Sequence, residues 1–98
     1  MTFEWHGIKA AANLQKHDVS FEEAATVFDD ANALNAADLR HSAIERRFLR
    51  VGRSAIGSVL AIAYVLRSAD SGETIRIISA RRASRKERTA YFSAQETD

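Results

Sequence analysis

The residues best suited to chemistry are basic side chains that cluster in the second half of the chain. Arg81 and Arg82 are adjacent, and the positive charge continues at Arg85, Lys86 and Arg88. A guanidinium group offers a planar fork of N–H donors that holds a phosphate through paired hydrogen bonds. The amides at the start of a following helix would add partial positive charge. The cluster predicts a phosphate-binding surface, with a solvated basic helix start as the alternative.

Arg76 and Tyr64 are polar residues within segments that otherwise have the apolar pattern of strands. An arginine in such a position either pairs with a carboxylate or faces an open groove, because its charge is rarely buried alone. A phenol beside a guanidinium can transfer a proton or stack on a base. A strand tyrosine is equally typical of half-buried packing. Arg76 and Tyr64 are therefore candidates for a functional groove.

Two further side chains are candidates for proton transfer. His41 lies in a polar loop, and histidine is the usual general base near neutral pH, although a loop histidine is more often incidental. Glu45 could act as a catalytic carboxylate, but a cross-strand ion pair is the simpler interpretation. We expect Arg50, Arg67 and Arg85 to be ordinary solvated charges.

Several classes of site are excluded by composition. The chain has no cysteine, so it has neither a disulfide framework nor a thiolate metal site. Its three histidines show no metal-ligand spacing, and its four glycines form no phosphate loop. We therefore expect no metal and no cofactor. The longest apolar run, residues 59–66, is too short to cross a bilayer, and the start lacks a signal-peptide layout. We expect a cytoplasmic protein without membrane contact.

The formal net charge of +1 conceals a division along the chain. Residues 1–39 carry two basic and seven acidic side chains, whereas residues 40–98 carry twelve basic and six acidic ones. Eleven of those twelve basic residues are arginines. A basic surface of this kind favours a polyanionic partner, of which RNA is the first candidate. The acidic first part could repel RNA from its side of the molecule or contact a basic partner.

The elements that must position these residues are two short helices, a series of strands and a last helix. Ile8 to His17 predicts a helix, with Ile8, Ala11, Ala12 and Gln15 at 3–4 spacing along one side. Ser20 and Glu23 have the spacing of a capping box, which predicts the start of a second helix, and Ser84 and Glu87 repeat the pattern for the last one. Alternation predicts strands over 33–37, 45–53, 59–66 and 74–80, of which the first is weak.

This order predicts an α+β fold and one domain over residues 1–98. Two N-terminal helices would cover one face of a three- or four-stranded antiparallel sheet, followed by a short C-terminal helix. The second face of the sheet would stay partly open.

Taken together, these motifs resemble the BrnT family of bacterial toxins, and the resemblance covers nearly the whole chain. It is carried by the following segments in this order: 3–5, 9–17, 19–24, 27–30, His41-Ser42, Glu45-Arg46-Arg47, Val51-Gly52-Arg53, Tyr64, 76–83, Glu87-Arg88 and Tyr91. Residues 32–37 form a poorer first strand than the family usually shows.

The resemblance implies a RelE-like fold and an endoribonuclease that inhibits translation without a metal, the ribose 2′-OH attacking the adjacent phosphate. It also implies a ribbon-helix-helix antitoxin of the BrnA type, which neutralises the toxin and binds operator DNA in a complex, with a 2:2 heterotetramer as the expected assembly. The catalytic residues it implies are Arg76, Tyr64, Arg81 and Arg82, with His41 and Glu45 as acid or base. The implied RNA-binding residues are Arg53, Arg85, Lys86 and Arg88.

Two alternatives stay open at this point. The chain could be a non-catalytic module of the same fold that binds nucleic acid or serves as the partner of a repressor. The basic face could also be chiefly the antitoxin interface, which is compatible with catalysis on the same face.

Overall fold

The computed structural model of the protein describes residues 1–41 and 45–96, and of His41 it describes the backbone alone. Ser42, part of the resemblance, lies outside these residues. Short 3-10 turns at Val27–Asp29 and Leu39–His41 accompany the main elements. These elements are β1 Thr2–Glu4, α1 Gly7–His17, α2 Phe21–Thr26, β2 Leu34–Asp38, β3 Arg47–Arg53, β4 Val59–Ala69, β5 Gly72–Arg82 and α3 Arg85–Gln95.

Within the described residues, five strands form one sheet in the order β1-β5-β4-β3-β2. Strands β2 to β5 are antiparallel to their neighbours, whereas β1 pairs in parallel with β5 from Thr2↔Thr74 to Glu4↔Arg76. The predicted α+β class with a short C-terminal helix is confirmed, and the weak first strand forms as β2. Strand β1 was not predicted from the sequence, because three residues are too few to show alternation and their partners in β5 are about seventy residues away.

Helix α2 and the following turn pack over the centre of one sheet face. Ser20 caps α2 as expected, since its Oγ accepts a hydrogen bond from the Glu23 amide at 2.9 Å. The other half of the predicted capping box is not seen, because Oε2 of Glu23 accepts from the Ser54 hydroxyl at 2.7 Å. The apolar residues of this segment meet the inner residues of the two long central strands. The buried set includes Phe21, Ala24, Val27, Leu60, Ile62, Ile75 and Ile77. Burial of these side chains is the main contribution to the stability of this side of the fold.

Helix α1 lies against β5 with residues other than those at 3–4 spacing. Ile8 is 77% exposed, and Ala11, Ala12 and Gln15 are exposed as well. The inward residues are Ala10, Asn13 and His17, of which Asn13 is buried. The helix itself is confirmed, but the 3–4 spacing does not mark its buried side, because this helix turns a polar residue towards the sheet.

The buried Asn13 side chain completes the edge of β5. Its Nδ2 donates to the carbonyl of Ala80 at 2.8 Å, and its Oδ1 accepts from the amide of Ala80 at 3.1 Å. The same Nδ2 donates to the carbonyl of Val19 at 3.0 Å. Strand β1 pairs with β5 only at residues 74–76. The side-chain amide of Asn13 therefore supplies the hydrogen bonds that a neighbouring strand would otherwise make at Ala80.

Helix α3 covers one end of the opposite sheet face. Its Tyr91 is 2% exposed and packs with Val51, Val59 and Ala61. The Tyr91 hydroxyl donates to Oδ2 of Asp30 at 2.6 Å, which ties α3 to the segment before β2. The rest of this face is not covered by α3, and we refer to it as the open face. No helix in the described part of the chain is long and apolar enough to cross a membrane.

Candidate functional site

Strand register places several arginines on the open face. Arg47 on β3 pairs with Val65 on β4, and Val65 pairs with Arg76 on β5. Paired residues in neighbouring strands project to the same side, so Arg47 and Arg76 flank the buried Val65. Arg81 pairs with Ala61, which lies four residues before Val65 and therefore on the same face.

A β-bulge in β5 brings Arg76 and Arg81 to one face. These residues are five positions apart, and in a regular strand an odd separation would place them on opposite faces. The register passes from Tyr64↔Ile77 to Ala63↔Ser79, which leaves Ile78 as an extra residue. The insertion reverses the alternation after Ile77. Arg81 therefore joins Arg76 on the open face.

A groove of about 470 Å³ lies on the open face beside Arg81, whereas Arg76 shares the face but does not line the groove. Ala61, Ala63 and Ser79 line it, and their small side chains leave room above the sheet. Arg47 and Arg81 also line the groove. Next to it, an apolar pocket of about 390 Å³ shares Ala36 and Leu49 with the groove and extends to Glu87 and Ala90 of α3. A ligand in the groove would meet guanidinium groups on both sides.

Glu87 holds the Arg81 guanidinium in a fixed orientation. NH1 and NH2 of Arg81 donate to Oε1 and Oε2 of Glu87 at 2.6 and 3.0 Å. Glu87 is the third residue of α3, and its Oε1 also accepts from the Ser84 amide at 2.8 Å in the predicted capping box. The hydrogen bond from Arg81 is the main reason that the pKa of Glu87 falls to about 2, and the same bond raises the pKa of Arg81.

Glu4 connects Arg76 with Arg67 at the other end of the open face. Its Oε1 lies 3.4 Å from NH1 of Arg76 and 3.1 Å from NH1 of Arg67. Glu45 accepts two hydrogen bonds from Arg67, at 3.2 and 3.4 Å, and these bonds raise the pKa of Arg67. Glu45 therefore forms the ion pair that we considered the simpler interpretation. Arg67 is solvent-exposed as expected, and it also pairs with these two carboxylates.

Tyr64 and Arg82 lie on the helical side of the sheet, so their expected placement with Arg76 and Arg81 is wrong. Tyr64 is 8% exposed and its hydroxyl donates to Oδ1 of Asn35 at 2.8 Å. Burial raises the pKa of this phenol. Arg82 is adjacent to Arg81 and therefore projects to the opposite side, where its NH2 lies 4.0 Å from Asp18.

The predicted RNA-binding residues divide around α3. Arg85 and Lys86 are exposed in its first turn, and Arg85 and Arg88 line a shallow cleft of about 520 Å³ with Phe92. The guanidinium carbons of Arg53 and Arg88 lie 5.5 and 5.6 Å from the centre of the Phe92 ring. Arg53 comes from the end of β3 and does not line the groove.

His41 ends the 3-10 turn after β2, so its backbone lies three residues beyond Asp38 of the groove. Its side chain is outside the described residues, and its role stays a prediction. Among residues 1–40 and 45–96, no group of three histidine or acidic side chains is arranged to hold a metal ion.

A family model described as "Ribonuclease toxin, BrnT, of type II toxin-antitoxin system" matches residues 5–87. The chain belongs to the BrnT family. The resemblance predicted from the motifs is thereby confirmed, and family membership implies a ribonuclease toxin with an RNA target and an antitoxin partner. No curated protein was found to match the chain.

In this BrnT chain, the matched segment contains all the strands that line the groove, and it ends at Glu87. Arg47 and Asp38 were not predicted as site residues, although they line the groove and pair in register between β3 and β2. A signal was present, because Arg47 alternates with Leu49 and Val51 and so belongs to their face.

The BrnT chain also uses one arginine for structure. Nε and NH2 of Arg50 donate to the carbonyls of Val27 and Asp30 at 3.1 and 2.9 Å, and its guanidinium lies 5.0 Å from the centre of the Phe28 ring. The expectation that Arg50 is simply solvated is wrong.

Proposed function

We propose that this BrnT chain is an endoribonuclease that cleaves RNA in the groove of the open face. The observation that carries the proposal is the pair of guanidinium groups, Arg76 and Arg81, that the bulge brings to one face of the sheet. The chain that carries this pair belongs to a family of ribonuclease toxins. Each is oriented by a carboxylate, Glu4 or Glu87, that leaves other N–H donors of the fork for a phosphate. Arg47 supplies a third basic group from β3, which lies on the other side of β4 from β5.

The reaction that suits this site is attack by the ribose 2′-OH on the adjacent phosphorus. A base takes the 2′ proton, the P–O5′ bond breaks, and an acid gives a proton to the departing 5′ oxygen. The products are a 2′,3′-cyclic phosphate and a 5′-hydroxyl. Negative charge grows on the phosphoryl oxygens as the five-coordinate state forms, and preorganised guanidinium donors stabilise it without a metal or cofactor.

The proton-transfer groups remain candidates for a direct test. His41 and Glu45 are the residues that the family resemblance implies. Asp38 is an addition from the structure, because it lines the groove. Tyr64 and Arg82 are left out of the proposed site, since the sheet separates them from Arg76 and Arg81.

The experiment is cleavage of a labelled RNA in EDTA by the wild-type chain, Arg76→Ala and Arg81→Ala. Loss of one phosphate-stabilising donor should lower the rate by about 10²–10³-fold. Arg82→Ala is the matched control, because it removes the same charge from the neighbouring residue on the opposite side. It should cleave at the wild-type rate. Equal activity of Arg81→Ala and Arg82→Ala would contradict the proposed site.

A substrate with one 2′-deoxy position tests the chemistry. Cleavage should stop at that position alone and continue elsewhere, because the attacking oxygen is missing there. Activity that disappears in EDTA would contradict the metal-independent mechanism.

For the partner, we propose a ribbon-helix-helix antitoxin that neutralises the chain in a 2:2 complex and binds operator DNA. The support is the antitoxin partner that the family implies. Mass measurement of the co-expressed pair and an operator-binding assay test it. A wild-type chain that binds RNA or a repressor without cleaving would instead support the non-catalytic module.

A further inference from the structure

Phe92 lies between two arginines on the side of α3 that faces away from the groove. Arg88 is four residues before Phe92 on the same helix, so both side chains share one face. Arg53 reaches the ring from the end of β3, with its guanidinium carbon 5.5 Å from the ring centre, compared with 5.6 Å for Arg88. The half-buried ring also contacts Tyr91 edge-on at 5.2 Å, which fixes it on the helix.

The arginines beside Phe92 differ from those of the open face in their ion pairs. Arg67, Arg76 and Arg81 each contact a carboxylate. Within the described residues, Arg53 and Arg88 form no salt bridge. An anion can therefore bind them without breaking an existing ion pair. Both guanidinium groups lie beside the Phe92 ring, and the Arg53 side chain also forms a hydrogen bond with the Tyr91 phenol that acts to lower the pKa of Tyr91.

A half-buried ring flanked by guanidinium groups at the surface has the chemistry of a single-stranded nucleic acid site. Nucleobases stack on aromatic rings and on guanidinium planes, whatever their identity. The same guanidinium groups hold the phosphates on either side of the base. An acidic peptide could bind the guanidinium groups through its carboxylates, but it has no flat base to stack on the Phe92 ring. Arg85 lines the cleft next to Phe92 and adds a further positive charge.

We propose that Phe92, Arg53 and Arg88 form a nucleotide subsite for single-stranded RNA outside the groove. The base stacks on Phe92 in place of the exposed Arg88 guanidinium, which then holds a phosphate together with Arg53. The inference rests on the proposed function for the choice of RNA as ligand. It adds a second contact on the far side of α3, so that one strand is held on both sides of this helix.

The test measures binding with an uncleavable probe, so that its result is independent of catalysis. The probes are a short fluorescent 2′-O-methyl RNA strand and an abasic strand of the same length. Phe92→Leu keeps an apolar side chain but removes the ring. Its Kd for the base-bearing strand should rise about tenfold, in line with the usual contribution of one stacked base. Its Kd for the abasic strand should stay as in the wild type.

Arg88→Gln tests the phosphate contact at an exposed position where folding is not at risk. It should weaken binding of both strands and reduce the salt dependence of binding by about 0.7 in the logarithmic slope. Lys16→Gln on α1 is the matched control for charge and should bind as the wild type does. Circular dichroism of each variant confirms the fold.

Unchanged binding of the base-bearing strand by both Phe92→Leu and Arg88→Gln would overturn the proposal. Equal weakening of both strands by Phe92→Leu would also overturn it, because stacking would then play no part. Weaker binding of the antitoxin with unchanged RNA binding would make this a protein interface and overturn the subsite. Cleavage of natural RNA by the wild type is scored separately, so failure of the proposed function remains distinguishable.

Discussion

Arg81 and Glu87 form a two-point ion pair that joins the open sheet face to the first turn of α3. The two N–O distances are 2.6 and 3.0 Å, and the same carboxylate closes the capping box with Ser84. One side chain thus caps a helix and orients a guanidinium of the proposed site. The stability of α3 and the geometry of the groove are therefore coupled through Glu87.

Glu87→Gln should lower the free energy of unfolding by about 1–2 kcal/mol, because it weakens the cap and removes the charge that pairs with Arg81. It should also slow RNA cleavage. Ser84→Ala is the control, since it removes the hydroxyl acceptor for the Glu87 amide and leaves the Arg81–Glu87 bonds in place. That variant should lose stability but keep its cleavage rate when folded. Chemical denaturation and the cleavage assay give the two measurements.

The pH dependence of stability should report the same pair. The pKa of Glu87 is about 2 in the folded chain and 4.5 without the pairing. A lowered pKa means that the contribution is complete above pH 4.5 and is lost as the pH falls towards 2. The difference in unfolding free energy between wild type and Glu87→Gln should therefore shrink across that window. A difference that stays constant from pH 6 to about 2 would contradict the role of this ion pair.

Tyr64→Phe should retain RNA cleavage, because the phenol is buried on the helical side of the sheet. Loss of its 2.8 Å hydrogen bond to Asn35 should reduce stability by about 0.5–1.5 kcal/mol. Cleavage rates measured below the unfolding transition separate the two effects. A loss of cleavage as large as that of Arg76→Ala would show that the phenol takes part in the reaction despite its position.

Gly52→Ala should destabilise the fold by about 1–3 kcal/mol through overpacking. A Cβ at this position would lie 2.7 Å from Cβ of Ala33 and 2.9 Å from Cγ1 of Val27, which are short side chains that cannot swing away. Gly7→Ala is the matched control, since nothing lies within 4 Å of its Cβ position. Thermal unfolding of both variants should show a lower midpoint for Gly52→Ala alone.

Asn13→Ala should cost about 1–3 kcal/mol, because it leaves the amide and carbonyl of Ala80 buried without their partner. Amide hydrogen exchange at Ala80 should become faster, since its N–H loses the Asn13 acceptor. Gln15→Ala changes an exposed residue on the same helix and should leave that exchange rate as it is. Equal protection of Ala80 in both variants would contradict the edge role of Asn13.

Local patterns accounted for much of the fold. The Ser20 cap, the capping box at Ser84 and the alternation of the central strands depend on neighbours in sequence, so they could be predicted without the tertiary structure. The inward face of α1 could not be predicted in this way. An apolar stripe predicts the buried face of a helix only when no polar residue of that helix has a hydrogen-bond partner in the interior. Asn13 has such a partner at the edge of β5.

The candidate site divides in the same way. The sequence by itself determined the excess of arginine in the second half, the strand positions of Arg76 and Arg81, and membership of the BrnT family. Which arginines share a face was decided by the tertiary structure alone. The side-chain period of a strand is two, so residues five apart separate unless one residue is added. The pairing of β5 with β4 makes Ile78 that residue, which places Arg81 with Arg76 and turns Arg82 away.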